Sequence, residues 1–181
     1  MPSLPVPEGL SRDGVALRRL RARDAGAFAQ AFREDPELGI VIGAEEDPTE
    51  NGVRRFIARQ PGLRARGEFL GLAVTDETKR PFLGHVMLHT LAWRHKRAEV
   101  GYWLVPAARG HGVGGKAVSL LVDWAFEQLE LERIEITTTP DNGAARALAT
   151  SLGFVEEGVM IGRNLERGRR VDVMLLARLR K

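Results

Sequence analysis

The stretch "RGHGVGGKA", Arg109 to Ala117, fits three phosphate-binding spacings at once, and the choice among them decides the fold. Gly110, Gly112 and Gly115 spell G-x-G-x-x-G, the turn of a dinucleotide-binding unit. Gly110 to Lys116 spell G-x-x-x-x-G-K, a P-loop that lacks its closing Ser or Thr. Arg109, Gly112 and Gly114 spell R-x-x-G-x-G. All three rest on one piece of physics. A helix N-terminus leaves N–H groups unpaired and carries partial positive charge, and glycines let the backbone before it curl around an anion.

The flanking sequence discriminates. Val15 to Leu20 is a short alternating run, and Asp24 is placed to cap the Ala/Phe-rich helix that follows to Glu34. Pro36 to Pro48 is broken by Gly and Pro, and Thr49 with Glu50 opens a second helix through about Gln60. From Glu68 the period becomes two. Phe69 to Thr75 and Phe82 to Leu91 read as a hairpin across the polar turn 76–81, and Glu99 to Val105 adds a third strand. Val113, Ala117, Leu120, Leu121 and Trp124 then recur at helical spacing. A strand at Arg133 to Thr139, a helix from Asn142 to Leu152 closed by Gly153, and strands at 154–161 and 171–179 complete the order β-α-α-β-β-β-α-β-α-β-β.

In that context two spacings fail. A dinucleotide turn needs its glycines directly after a strand of a repeated βαβ unit, with an acid about 20 residues on. Here Pro106 to Arg109 intervene, the preceding strands form a meander, and Glu132 and Glu135 lie at the start and middle of a strand. A P-loop needs a hydroxyl after its lysine for Mg²⁺, and position 117 is Ala. R-x-x-G-x-G between a strand and a helix remains, beside the plainer reading of a flexible turn.

From Glu99 onward the chain resembles the GNAT N-acetyltransferase superfamily, through "AEVGYWLVP", "RGHGVGG", a long helix, "RIEITTT", "DNGAARALATSLGF" and a closing hairpin. It is most similar to the branch of ribosomal-protein N-terminal acetyltransferases, the RimJ/RimL-like enzymes. The resemblance implies an α/β (α+β) GNAT fold: a twisted mixed sheet of about seven strands with helices on both faces, antiparallel except where strands four and five run parallel. It implies a single domain over residues 1–181, with 1–12 as an N-terminal arm. It also implies acetyl-CoA as acyl donor, with Arg109, Gly110, His111, Gly112, Val113, Gly114 and Gly115 around its pyrophosphate. Trp103, Leu104 and Val105 would meet the pantetheine arm by backbone, and Asn142 would meet it from the other side. The implied reaction is direct attack of a primary amine in a ternary complex, with the oxyanion held by backbone N–H near Leu104 or Val105.

Glu99 is the candidate base, acting through water; a strand-edge charge paired with Arg97 or a helix is an equal reading. A protein α-amine, with a reference pKa near 8, is a lighter task for such a base than lysine near 10.4. The branch often carries Ser where this chain has Ala145, and other family members carry Tyr where it has Ala149, so the thiolate leaves unprotonated or is served by water, Ser151 or Thr150. The two alanines also leave open a CoA-binding sensor without turnover, and independently of them a small-molecule amine is the alternative acceptor. Tyr102, the sole tyrosine, is core or cleft.

Composition closes other routes. A chain of 181 residues, 44% hydrophobic and 28% charged, suits one domain with a real core. With no cysteine, disulfides, thiolate metal sites and a cysteine nucleophile are excluded. The first residues, "MPSLPVPEGL", hold three prolines and no long apolar run, so a cytoplasmic protein and no membrane contact are expected. A net charge of +3 argues for a small anion and against nucleic acid. His85 and His89 mimic a helical metal pair, but on a strand they stand roughly 13 Å apart, so no metal is expected. Phe28, Phe32 and Phe56 read as core, with an acceptor groove as the second reading. The basic loops at 93–97 and 163–170 read as solvated, with an acidic protein, RNA or the cofactor's 3′-phosphate as the alternative. A homodimer is common in the superfamily and is expected here on that ground.

Overall fold

The computed structural model describes residues 2–35, 38, 49–166 and 168–181; except for Leu38, the expected break at 36–48 lies outside them. Strands β1 (Ser11–Arg12) and β2 (Val15–Arg19) lead into helices α1 (Ala25–Glu34) and α2 (Glu50–Ala65). Next come β3 (Leu70–Asp76), β4 (Gly84–Ala92) and β5 (Arg97–Leu104), then α3 (Val113–Gln128), β6 (Arg133–Thr138) and α4 (Gly143–Ser151). The hairpin β7 (Val155–Glu166) and β8 (Arg169–Leu179) closes the chain. All eight strands form one sheet, ordered β1-β2-β3-β4-β5-β6-β8-β7. Among the described residues only β5 and β6 pair in parallel, because α3 carries the chain back across the sheet between them.

The expected order holds, with one strand added. Asp13 and Gly14 both take positive φ (49° and 84°), the geometry of a two-residue hairpin turn, and pair Ser11 with Ala16 and Arg12 with Val15. The arm is thereby tied into the fold. Leu4 is buried and its N–H donates to the Arg64 carbonyl at 2.9 Å, while Arg12 reaches Asp123 on α3 at 3.1 Å.

The sheet buries both faces. On one, Leu72, Val86, Leu88 and Val100 pack against Ala117, Leu121 and Trp124 of α3 and Ala149 of α4. On the other, Phe28 and Phe32 of α1 meet the edge of the Trp103 ring at centroid distances of 4.7 and 5.1 Å. Phe28 and Phe32 are therefore core, with Phe56 packed against them. Helix α2 runs past Gln60 through Pro61 and Gly62 to Ala65, and the proline forfeits one N–H bond without ending it.

Asp24 does something other than cap α1. It sits in helical backbone conformation and makes no side-chain cap. Its carboxylate is instead buried against the Arg18 guanidinium, at 2.7 and 2.8 Å, and accepts the Arg21 N–H at 2.7 Å. Arg18 also donates to the Lys79 and Arg19 carbonyls, so this pair ties β2, the start of α1 and the β3–β4 turn together.

Candidate active site

Strands β5 and β6 pair over only three residues, Arg97 with Arg133, Ala98 with Ile134 and Glu99 with Glu135. Beyond Glu99 they diverge, and a cleft of 710 Å³ opens between Val100 to Leu104 on one side and Ile136 to Thr138 on the other. The gap leaves backbone groups of β5 without a strand partner. Val105 donates its N–H to Leu83 on the far side, at 3.0 Å. Antiparallel pairing alternates, so Trp103 and Val105 turn their N–H groups toward β4 and Leu104 turns its own into the cleft. Of the two expected oxyanion donors, only Leu104 has its N–H on that side.

The glycine loop borders the same cleft. Gly110 and Gly112 take φ of 76° and 72°, and Gly112 is the N-cap of α3. The first backbone bond into the helix runs from Lys116 N–H to the Gly112 carbonyl, so the N–H groups of the first turn, Val113 to Gly115, precede the ladder. A Cβ at Gly110, Gly112 or Gly115 would meet nothing within 4 Å, whereas one at Gly114 would come within 3.2 Å of Leu148 and Tyr102. The loop thus has open space on its mouth and a packed floor. Lys116 points away, its Nζ donating to the Asp13 carbonyl at 2.8 Å, which removes it from any P-loop role.

The other expected contacts are distributed unevenly. Arg109 Nε and Nη2 donate to the Leu104 carbonyl at 3.2 and 3.0 Å, and Nη2 pairs with Asp35 at the end of α1 at 2.6 Å. The guanidinium is thus a brace between β5 and α1, with its fork turned toward protein. His111 is exposed and does not line the cleft. Asn142 lines it, and its Oδ1 caps α4 by accepting the Ala145 N–H at 3.0 Å. Ala145 lines the cleft while Ala149 is fully buried. Thr150 and Ser151 are exposed and outside it, Ser151 donating to the Leu148 carbonyl.

Tyr102, undecided from sequence, lines the cleft, with its hydroxyl pKa raised by burial. Thr137 and Thr138 on β6 and His89 on β4 line it too. The β-branched pattern of β6 hid the threonines, because strand residues on a free edge look like any others in sequence. Glu99 lies on a central strand rather than an edge, and Arg97 pairs with Glu135 at 2.8 Å, not with Glu99. The neighbour of Glu99 is His89, Oε2 to Nδ1 at 3.6 Å. His85 is sealed among aromatic rings, and burial pushes its pKa down to about 3.

A family model described as an acetyltransferase (GNAT) domain matches residues 15–155. The chain belongs to the GNAT acetyltransferase family. It is 28% identical to the uncharacterized N-acetyltransferase YoaA of Bacillus subtilis over 151 residues, 83% of this chain and 85% of that one. It is 26% identical to the ribosomal-protein-serine acetyltransferase of Escherichia coli over 131 residues, 72% of each. The solved structure of Mycobacterium smegmatis RimJ in complex with CoA-disulfide superposes with a TM-score of 0.80 at 23% identity, covering 91% of this chain and 81% of that one. This acetyltransferase is therefore an acyltransferase enzyme. Among its described residues no helix is long and apolar enough to cross a membrane.

Proposed function

We propose that this acetyltransferase moves an acetyl group from acetyl-CoA to a primary amine, with a protein N-terminal α-amine as acceptor, by direct attack in a ternary complex in the cytoplasm. The divergence of β5 and β6 after Glu99 carries this reading. It makes a passage through the sheet, with the glycine loop on the α3 face and Glu99, His89 and Trp103 toward the α1 face. The pyrophosphate rests on the first-turn N–H groups at Gly112 to Gly115, and pantetheine replaces β6 along the free edge of β5, with Asn142 opposite. The thioester then lies in the gap, where the Leu104 N–H faces the developing oxyanion. Glu99 serves the amine on the other face. The ribosomal-protein-serine acetyltransferase among the relatives supports a protein acceptor, and the lower pKa of an α-amine favours the N-terminus over lysine. A homodimer belongs to the same reading, since the edge strand β7 exposes Val155, Ile161 and Leu165.

The test is thiol release with acetyl-CoA against a panel of peptides with free N-termini, the same peptides N-blocked but lysine-containing, and polyamines and amino acids. Turnover confined to free N-termini is expected. Turnover confined to small amines would replace the acceptor and leave the donor reading intact.

Arg109 gives a second expectation. Because it braces the Leu104 carbonyl and Asp35, Arg109→Ala should leave the acetyl-CoA Kd within about threefold while lowering kcat/KM by about tenfold or more through misplacement of the β5 edge. A large rise in Kd with kcat unchanged would instead make the guanidinium a phosphate ligand.

A further inference from the structure

The cleft wall on the α1 side carries a histidine that the glycine-loop reading does not use. His89 is on β4 directly across from Glu99 on β5. Just after it the register slips between His89 and Ala92, and Thr90 takes φ of 50°, a left-handed conformation costly for a β-branched residue. Such irregularities re-aim side chains where they occur. Here Thr90 Oγ1 lies 2.9 Å from His89 Nδ1, and the Glu99 carboxylate lies 3.6 Å from the same nitrogen. The opposite nitrogen, Nε2, looks across Gly101: a Cβ on that glycine would stand only 3.2 Å from it. Gly101 itself lines the cleft, so the absence of its side chain leaves the ring room beside the gap.

We propose that His89 is the base that takes the acceptor's proton, through Nε2, with Thr90 and Glu99 holding its Nδ1–H. This rests on the acetyl-transfer reading and replaces the water expected between Glu99 and the amine. A carboxylate accepts only, so Glu99 favours the tautomer with the proton on Nδ1, and Thr90 Oγ1 accepts that proton at hydrogen-bond distance. Nε2 then presents its lone pair. The amine nitrogen attacks the thioester carbonyl carbon, the C–N bond forms and the oxyanion develops. The C–S bond then breaks, CoA leaves as thiolate, and the proton lost by nitrogen passes to Nε2. The imidazolium so formed sits beside Glu99 until it returns the proton to the thiolate, giving amide and free thiol.

Among the described residues, the charged groups around the ring are few. Glu99 faces it from β5, and beyond Glu99 the Glu135 carboxylate on β6 is held by Arg97 at 2.8 Å and Arg133 at 2.7 Å. At the cleft's other end Asp35 of α1 is paired with Arg109. Burial lowers the His89 pKa and Glu99 opposes that shift, so the ring is neutral at neutral pH and Nε2 is free of a proton when Nδ1 carries it.

Two readouts test the assignment. Nitrogen-resolved NMR of the imidazoles, in the protein with no acceptor present, should show His89 as the Nδ1–H tautomer, titrating below the ordinary histidine range and lower still in Glu99→Gln. Finding the proton on Nε2 at neutral pH would overturn it. With whichever amine the enzyme accepts, His89→Gln should lower kcat by about 100-fold, leave acetyl-CoA binding by calorimetry intact, and abolish the acid limb of the kcat/KM profile that follows His89. Retention of wild-type kcat with the acid limb in place would overturn it too. A wrong acceptor class would show in the panel of peptides and small amines, while the NMR tautomer would be unaffected.

Discussion

Gly112→Asp is expected to weaken acetyl-CoA binding by about 100-fold or more while leaving the fold intact. Gly112 is the N-cap of α3 with φ of 72°. Aspartate is among the residues that tolerate the left-handed region, and a Cβ at this position meets nothing within 4 Å, so the helix keeps its start. The same carboxylate then occupies the anion's place. Two like charges about 4 Å apart repel by up to about 4 kcal/mol at a surface dielectric, and the 100-fold loss corresponds to about 2.7 kcal/mol. Calorimetric titration paired with a thermal melt measures both quantities. A Kd close to wild type would take the loop out of the donor site, whereas a collapsed melt would mean that the backbone, not the charge, decided the result.

The largest expected stability effect lies far from the cleft. Asp24→Ala strands the Arg18 guanidinium, which is 6% exposed, without its carboxylate, a loss of about 3–5 kcal/mol for a buried pair. For a chain of this size that is a fall in Tm of about 10 °C. Asp24→Asn, which keeps one acceptor oxygen, should lose less. Burial by itself would raise the Asp24 pKa, but the hydrogen bonds from Arg18 and the Arg21 N–H, with the charge of Arg18, hold it below the ordinary carboxylate value. A depressed carboxylate stabilises fully above its unfolded pKa, about 3.9, and that stability is lost as the pH falls below it. Urea midpoints across this range should therefore drop more steeply for wild type than for Asp24→Ala. Parallel curves would deny the pair its linkage.

What the sequence disclosed was what repeats locally. The change to period two at Glu68, the glycines before Val113 and the helical spacing that follows put the loop between β5 and α3 and ruled out the rival phosphate folds. The Asp13-Gly14 turn is equally local but leaves no periodic trace, because two paired residues are too short to show a period. Asp24 looked like a cap because the residue types that cap helices are also those that pair with arginine. Arg109 meets Asp35 across 74 positions of chain, and Glu99 meets His89 across two strands. Neither partnership has a spacing signature: the first follows from where α1 ends beside β5, the second from strand order beside a bulge, and only the folded backbone displays either. Glu99 was open to an edge reading for the same reason, since β6 comes to lie beside β5 only after α3 has crossed the sheet.

The short pairing of β5 with β6 also governs traffic. A fissure that runs through a sheet has two mouths, so the bulky nucleotide and the acceptor chain need never pass one another. On the proposed function, the acetylated product has a way out by the acceptor's mouth with CoA still seated, and a fresh donor has its own. An acceptor as large as a folded protein is then no obstacle to turnover: only its first residues have to reach the gap, and the rest of it stays outside.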